Sequence, residues 1–331
     1  MKFNFKYQAL ILAMMVPVAS FSQVASVSAE QVVEAMEKIN GITPGARRNH
    51  INGVCASGTF VGAKEIQAYS RSPLFSGQSI PVEARFSLAG GNPKAPDTAK
   101  SPRGLGIQFK LPDNSFHHFT MLNVPVFSVS SPRAFYEALL AGTPDATTDK
   151  VDPEKMKAFR ASHPDSLPLA EFMAKNNPPV SYVNSDFYSV HTFKFINKDN
   201  KTTLVRWRFV PEEGVKRLTD EEMKSGPSQF LDQKLIDKAK QGPIRWNMVL
   251  TLGEPGDEQV NPTVYWPTNR KEVKAGVLTF TTAALQADAT CGPINFDPLV
   301  MSDGVAPTDD PVLLFRSPAY ANSFSKRLTG R

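Results

Sequence analysis

Asp310-Pro311-Val312-Leu313-Leu314-Phe315-Arg316-Ser317-Pro318-Ala319-Tyr320, near the end of a chain of 331 residues, is the stretch on which the reading turns. Asp310 directly before Pro311 has the form of an N-cap followed by an N1 proline. Val312, Leu313 and Phe315 then give the helix one buried stripe. Arg316 and Tyr320 are four apart and share a face on a continuous helix. A guanidinium held against a phenol favours the phenolate, a hard anionic ligand for ferric iron. Pro318 stands between the two, and an interior proline kinks a helix or starts a new one. The expectation is therefore that the pair meets at a bend instead of by regular helical geometry. Alone, Arg-x-x-x-Tyr is unspecific, since most such pairs are surface or packing pairs, and the rest of the chain has to raise it.

Working outward, the length suits one large domain with peripheral helices, or two domains. Hydrophobic content of 41% and charged content of 21% are those of an ordinary globular protein. The amino terminus departs from this. Lys2 and Lys6 precede the apolar run 9–19, and small and polar residues lead to Val27-Ser28-Ala29. This reads as a secretory signal, residues 1–29, cut after Ala29, leaving 30–331 as a single domain in the periplasm or outside the cell. The alternative is an uncleaved anchor, but the apolar run is short for a membrane span, and no stable span is expected once the signal is gone. Removing the two lysines takes the formal charge from +5 to +3. No arginine-rich helix or basic block with interleaved aromatics is present, so the basic balance does not point to nucleic acid. Two cysteines, Cys55 and Cys291, and five histidines form no Cys/His cluster of metal-ligand spacing, which argues against a histidine-rich zinc site. In an exported protein the cysteines can pair, and they can equally be free and buried. A site needing a single protein ligand to iron stays open.

Residues 30–39 read as a helix with a Val33, Met36, Ile39 stripe, ended by Gly41, Pro44 and Gly45. Strands are expected over 54–61, 81–87, 104–111 and 119–128, with Pro112-Asp113-Asn114 as a turn. The period changes at Pro132, and helices are expected over 133–140, 153–161 and 167–175. Strand pattern returns over 190–197, 204–210, 246–252 and 276–281, with helices over 218–225 and 230–240 between. Two blocks of strands with helices inserted, and no strand–helix alternation, argue for an α+β protein built on one closed or nearly closed antiparallel β-barrel. No glycine-rich phosphate loop follows a strand, and no internal repeat is found.

Several segments, taken in order, resemble the haem catalase superfamily. They are Arg47-x-x-His50-x-x-Gly53, Arg85-Phe86-Ser87, Asp97-Thr98, Pro102-Arg103-Gly104 and Phe109. Leu122-Asn123-Val124-Pro125-Val126-Phe127, His191-Thr192-Phe193-Lys194-Phe195-x-Asn197 and Pro262-Thr263-x-x-Trp266-Pro267 follow. Phe296-Asp297-Pro298, Asp310-Pro311, Arg316-x-x-x-Tyr320 and Arg327 complete the set, so the resemblance runs from about Arg47 to Arg327. It implies a catalase-like barrel with inserted and flanking helices, haem b as cofactor, and reduction of hydrogen peroxide or organic hydroperoxides. Full-size catalases carry an amino-terminal arm, a wrapping segment and a carboxy-terminal helical domain. This sequence looks like the small exported catalase-related peroxidases, with an organic donor as reductant and weak catalase activity. A shorter, more open haem channel admitting larger donors is the corresponding expectation.

The resemblance assigns roles that residue chemistry supports. His50 takes a proton from one peroxide oxygen and returns it to the other, work suited to a pKa near 6.5. Asn123 donates to the bound peroxide, and Ser87 fixes the imidazole ring. Tyr320 ligates the iron, the tyrosine-ligated haem for which catalase is the general example, with Arg316 beside it. Arg47, Arg85 and Arg327 pair with the haem carboxylates. Phe127 and Phe135 line the pocket or pack in the core, and His191 and Asp310 stand behind Arg316. Val124, where large catalases usually have threonine, and Phe324, at an often polar position, depart from the pattern without removing a named role. Read singly, each of these residues has a plain alternative as a surface, cap or packing residue. Two other functions fit parts of the pattern: an exported haem- or apolar-ligand-binding barrel without turnover, and a lipid hydroperoxide isomerase on the same scaffold. The sequence leaves a homodimer open and does not name the reductant.

Overall fold

Ser28 starts the first helix, α1 (Ala29–Asn40), by a reciprocal capping box: its hydroxyl accepts from Gln31 N at 3.1 Å and the Gln31 side chain accepts from Ser28 N at 2.8 Å. The computed structural model describes residues 1, 26–145, 147–148 and 150–330. The expected signal segment, 1–29, therefore falls almost wholly outside the described residues. A cut after Ala29 would remove the Ser28 cap.

Four long strands follow, β1 (Gly53–Gly62), β2 (Ser79–Leu88), β3 (Arg103–Lys110) and β4 (Phe116–Leu122). Three helices are inserted, α2 (Pro132–Ala141), α3 (Pro153–Ser162) and α4 (Leu167–Lys175), each with proline in its first turn. Then come β5 (Phe187–Tyr188), β6 (Phe193–Ile196) and β7 (Thr202–Pro211), and helices α5 (Asp220–Ser225) and α6 (Leu231–Gln241). The chain continues through β8 (Ile244–Leu252), β9 (Glu272–Leu285) and β10 (Val305–Pro307) to α7 (Pro311–Leu328).

All pairings are antiparallel. The neighbours run β5-β4-β3-β2-β1-β9-β8, and β8 pairs with β7, which pairs with β5, so the sheet closes into a barrel. β6 and β10 extend from the flank of β7. This is the expected α+β architecture, and closure removes the open edges that a long antiparallel sheet would expose.

Side chains alternate between the two faces of each strand. On β2, Val82, Ala84 and Phe86 join the central core, which leaves Arg85 and Ser87 on the outer face. The interior is filled with aromatics. The Phe86 ring lies 5.2–5.8 Å from the rings of Tyr182, Phe187, Trp246 and Phe280, and Phe60 packs on Phe109 and Phe209. Truncating one such phenylalanine costs about 3–5 kcal/mol. The barrel interior is thus a packed core, not a ligand cup.

Two local expectations change. The strand expected over 119–128 stops at Leu122. Asn123 N donates to Arg103 O at 2.9 Å and its side-chain oxygen accepts from Arg103 N at 2.7 Å, which closes the ladder just before Pro125, a residue with no N–H to give. α7 runs unbroken through Pro318, so the expected bend as the means of bringing Arg316 and Tyr320 together is not needed. Its start is held by Asp310, whose Oδ1 accepts from Val312 N and Leu313 N at 2.8 and 3.1 Å, and by the buried Val312 and Leu313. Ser317 also bonds the Asp297 carboxylate, so tertiary contacts offset the one helical bond the proline removes.

Candidate active site

The registers of the first four strands place Gly53, Ser87, Gly104 and Leu122 side by side, and Arg85, Gly106 and Thr120 in the next outward-facing row. This outer face of the barrel is the floor of a cavity. α1 and α7 close over it, with Val32, Val33 and Met36 from one helix and Val312, Phe315 and Tyr320 from the other. The cavity encloses about 1270 Å³ of atom-free space, its mouth open to solvent included.

His50 lies in the wall on the loop between α1 and β1, with φ of 55°, a left-handed conformation uncommon outside glycine. Three contacts hold it there. Its own N–H donates to Asn49 Oδ1 at 2.8 Å, and its carbonyl accepts from Arg85 Nη2 at 2.8 Å. Its Nδ1 is 2.9 Å from Ser87 Oγ. With Nδ1–H donating to Ser87, Nε2 keeps its lone pair and is the nitrogen available as a base. Burial, reinforced by the nearby Arg85 and Arg316 guanidiniums, pushes the His50 pKa down to about 3, well below the 6.5 expected from sequence.

Arg316 Nη2 donates to the Tyr320 hydroxyl at 2.8 Å, the regular i,i+4 contact of α7, and both side chains line the cavity. Behind them Asp310 Oδ2 accepts from His191 Nδ1 at 2.7 Å, both residues essentially without solvent exposure. Burial lowers the His191 pKa, with the Asp310 bond opposing it. Phe127 lines the cavity and packs on Phe135 and on the His191 ring at 5.9 and 5.7 Å.

Arg47 and Arg327 reach the same loop. Arg47 donates to Gly292 O at 3.2 Å and Ile294 O at 2.6 Å, and Arg327 donates to Gly292 O and Pro293 O at 3.0 Å each. Arg85 is more deeply placed. Besides His50 O it donates to Ile51 O at 3.2 Å and to the Gln286 side chain, so it braces the histidine loop. Asn123 is buried but not among the residues lining the cavity; its oxygen is taken by Arg103 N, which leaves the amide nitrogen as its free donor.

Sequence reading did not single out Gly104 and Gly106 for what they do here. A β-carbon on Gly106 would come within 2.8 Å of the Phe296 ring, and on Gly104 within 2.9 Å of His50. Nor did it foresee the loop 286–296, whose main-chain carbonyls hold Arg47 and Arg327, and of the two states it left open for Cys55 and Cys291 the structure has the disulfide, across 236 residues of sequence. The donor set fits a flat dianionic macrocycle held by one protein ligand. The floor carries two glycines, the walls are apolar, and one phenol faces in. None of Arg47, Arg85, Arg316 and Arg327 has an ion-pair partner among the described residues. The described residues contain no group of three or more His, Cys, Asp or Glu able to hold a bare metal ion.

A family model described as Catalase matches residues 24–331. The chain is 55% identical over 330 residues to a catalase-related peroxidase of Synechococcus elongatus, covering 98% of this chain and 97% of that one. It is 29% identical to a catalase-related peroxidase of Mycolicibacterium paratuberculosis, covering 90% and 94% of the two chains. Among solved structures, catalase A from Saccharomyces cerevisiae superposes with a TM-score of 0.79 at 23% identity, over 86% of this chain and 62% of that one. A fungal catalase gives 0.79 at 22%, over 86% and 60%. At such identities these speak to the fold, and the chain spans about three fifths of their length.

Proposed function

The chain belongs to the catalase family, and from that premise we propose that this oxidoreductase is an exported haem peroxidase, reducing hydrogen peroxide or organic hydroperoxides with an organic donor. The observation that carries the reading is that the His50–Ser87 pair and the Arg316–Tyr320 pair face one cavity whose guanidiniums have no carboxylate partner among the described residues. Tyr320 would be the protein ligand of haem b and Arg47 and Arg327 would pair with its carboxylates, and the group would supply redox chemistry toward peroxide when bound. His50, neutral because of its lowered pKa, takes the proton of one peroxide oxygen at Nε2 and delivers it to the leaving oxygen. Ser87 keeps the imidazole in the tautomer that makes this possible. Asn123, which does not itself line the cavity, keeps its amide nitrogen as the donor we assign to the bound peroxide, its oxygen being taken by Arg103, and Arg316 donates to the oxygen of Tyr320. Arg85 holds the backbone of the histidine loop.

Export rests on the amino-terminal pattern of residues 1–29 and gains support from the Cys55–Cys291 disulfide, a bond favoured in oxidising compartments. On this reading residues 30–331 act as one haem domain in the periplasm or outside the cell. No helix among the described residues is long and apolar enough to cross a membrane.

The test is an absorption spectrum of the purified protein with haem b, before and after peroxide, followed by oxidation of a bulky phenolic donor. A high-spin ferric, phenolate-type spectrum that changes with peroxide, and donor oxidation exceeding peroxide disproportionation, are expected. A protein that takes up no haem, or that disproportionates peroxide rapidly without oxidising any donor, overturns the proposal.

A further inference from the structure

Every acceptor that aims Arg47 and Arg327 is a main-chain carbonyl of three consecutive residues, Gly292, Pro293 and Ile294. Gly292 O serves both guanidiniums at once. The direction of Arg47 is therefore set by where the loop backbone lies, and that of Arg327 by the same backbone together with the Phe324 ring, over which its guanidinium stacks at 4.7 Å. Cys291 immediately precedes the three carbonyls and is bonded to Cys55 of β1, which lies in register with Arg85 of β2. The sulfurs are buried, Cys55 2% and Cys291 0% exposed, in a small cluster with Phe296. Other side-chain ties reach the loop on either side of the three carbonyls: Arg85 donates to Gln286, the Thr290 hydroxyl donates to Glu83 at 2.8 Å, and the Thr120 hydroxyl donates to Phe296 O at 3.0 Å.

We propose that the Cys55–Cys291 disulfide is the positioning element of a two-arginine carboxylate clamp. It fixes the loop on the barrel so that Arg47 and Arg327 stand ready for the two carboxylates of a flat dicarboxylic macrocycle. This rests on the haem reading above. The clamp is redox-dependent: a dithiol gives two electrons and two protons, the S–S bond breaks into two thiols, and the dithiol closes to its own disulfide. The freed loop then lets the two guanidiniums wander while Tyr320 and the His50–Ser87 pair keep their own bonds. Retention of the dicarboxylic ligand is thus tied to an oxidising compartment.

A general loss of stability and a slackened clamp are told apart by a ligand that lacks the charges. The full chain, free of haem, is titrated with metal-free protoporphyrin IX and with its dimethyl ester, following fluorescence. The wild-type protein prefers the diacid. In Cys55→Ser/Cys291→Ser that preference falls about tenfold, the scale on which charge-assisted hydrogen bonds act, while affinity for the diester stays nearly unchanged. Should the double serine variant fail to fold, Cys55→Val/Cys291→Ala preserves the apolar packing and serves in its place. Wild-type protein reduced by a dithiol, its thiols counted by alkylation, gives the same comparison without substitution. An unchanged preference, or an equal loss for both porphyrins, overturns the clamp and leaves the haem reading standing. Wild-type protein that binds neither porphyrin overturns both.

Discussion

Gly104 is the floor beneath the His50 imidazole: a β-carbon there would lie 2.9 Å from both His50 Nδ1 and Ser87 Oγ, the two atoms of the bond that orients the ring. Neither can retreat cheaply, because the His50 backbone is held by Arg85 and Asn49 and Ser87 is fixed on β2. Gly104→Ala should therefore tilt the imidazole and lower kcat/KM for peroxide by about a hundredfold, the scale on which an ångström of misplacement acts. Haem uptake and its resting spectrum should change little, since Tyr320 is untouched. A variant with unaltered peroxide kinetics would show that the ring is not held against β3.

Asp310 performs two tasks with its two oxygens, capping α7 through Oδ1 and accepting from buried His191 through Oδ2. Asp310→Ala removes the cap, worth about 1 kcal/mol, and leaves a buried imidazole N–H unpaired, worth about 1–3 kcal/mol. Asp310→Asn keeps a good cap and can offer its amide to the other tautomer of His191. Denaturant unfolding should therefore show the alanine variant losing about 2–4 kcal/mol in total and the asparagine variant markedly less. Equal losses would mean that neither oxygen matters in the way described.

Much of this arrangement is legible in the sequence where the cause is local. Alternation marks β2 and β3, the Asp-Pro pair marks the start of α7, and a spacing of four puts Arg316 beside Tyr320. What is not legible depends on distant parts of the chain. The two residues of β5 and three of β10 are too short for any periodicity to register. Continuity of α7 through Pro318 follows from contacts of Asp310, Leu313 and Ser317, none of which the local proline rule includes. The carbonyls of Gly292 to Ile294 hold two site arginines with atoms that every residue possesses, so no residue pattern announces them. The disulfide pairs two cysteines whose sequence separation gives no hint of their proximity.

Acid should destabilise this protein earlier than carboxylate titration alone would. Burial pushes His117 down to about 3 and His118 to about 4, and it lowers His191 as well. Each binds a proton in the unfolded chain near 6.5 but not in the folded one, so stability falls as pH drops from about 6.5 toward those lower values. At pH 5 this amounts to on the order of 2 kcal/mol for each of His117 and His118. Asp232 works in the opposite sense. Burial and the neighbouring Asp97 raise it to about 6, so its folded form gains protons first and returns on the order of 1 kcal/mol at that pH. The histidines outweigh it. Unfolding free energies at pH 7 and pH 5 should differ by several kcal/mol, and a stability that is flat over that interval would rule this account out.

The same acid range isolates the role of His50. Its pKa of about 3 keeps the imidazole neutral, and hence able to accept the peroxide proton, far below the point at which an ordinary histidine would be protonated. Initial rates measured directly after a jump from pH 7, before acid unfolding sets in, should stay level down to about pH 4. A histidine at its usual pKa would lose most of its activity over that interval. His50→Ala should lower the peroxide rate by about 10²–10⁴-fold at every pH. Haem uptake should persist in that variant, because Tyr320, Arg316, Arg47 and Arg327 hold their places through bonds that do not involve His50. The combination separates turnover from mere binding: a protein that only holds haem would keep whatever peroxide reactivity it has after the substitution. If the rate instead falls between pH 7 and pH 5 in step with an unshifted imidazole, the proton acceptor is a group other than His50.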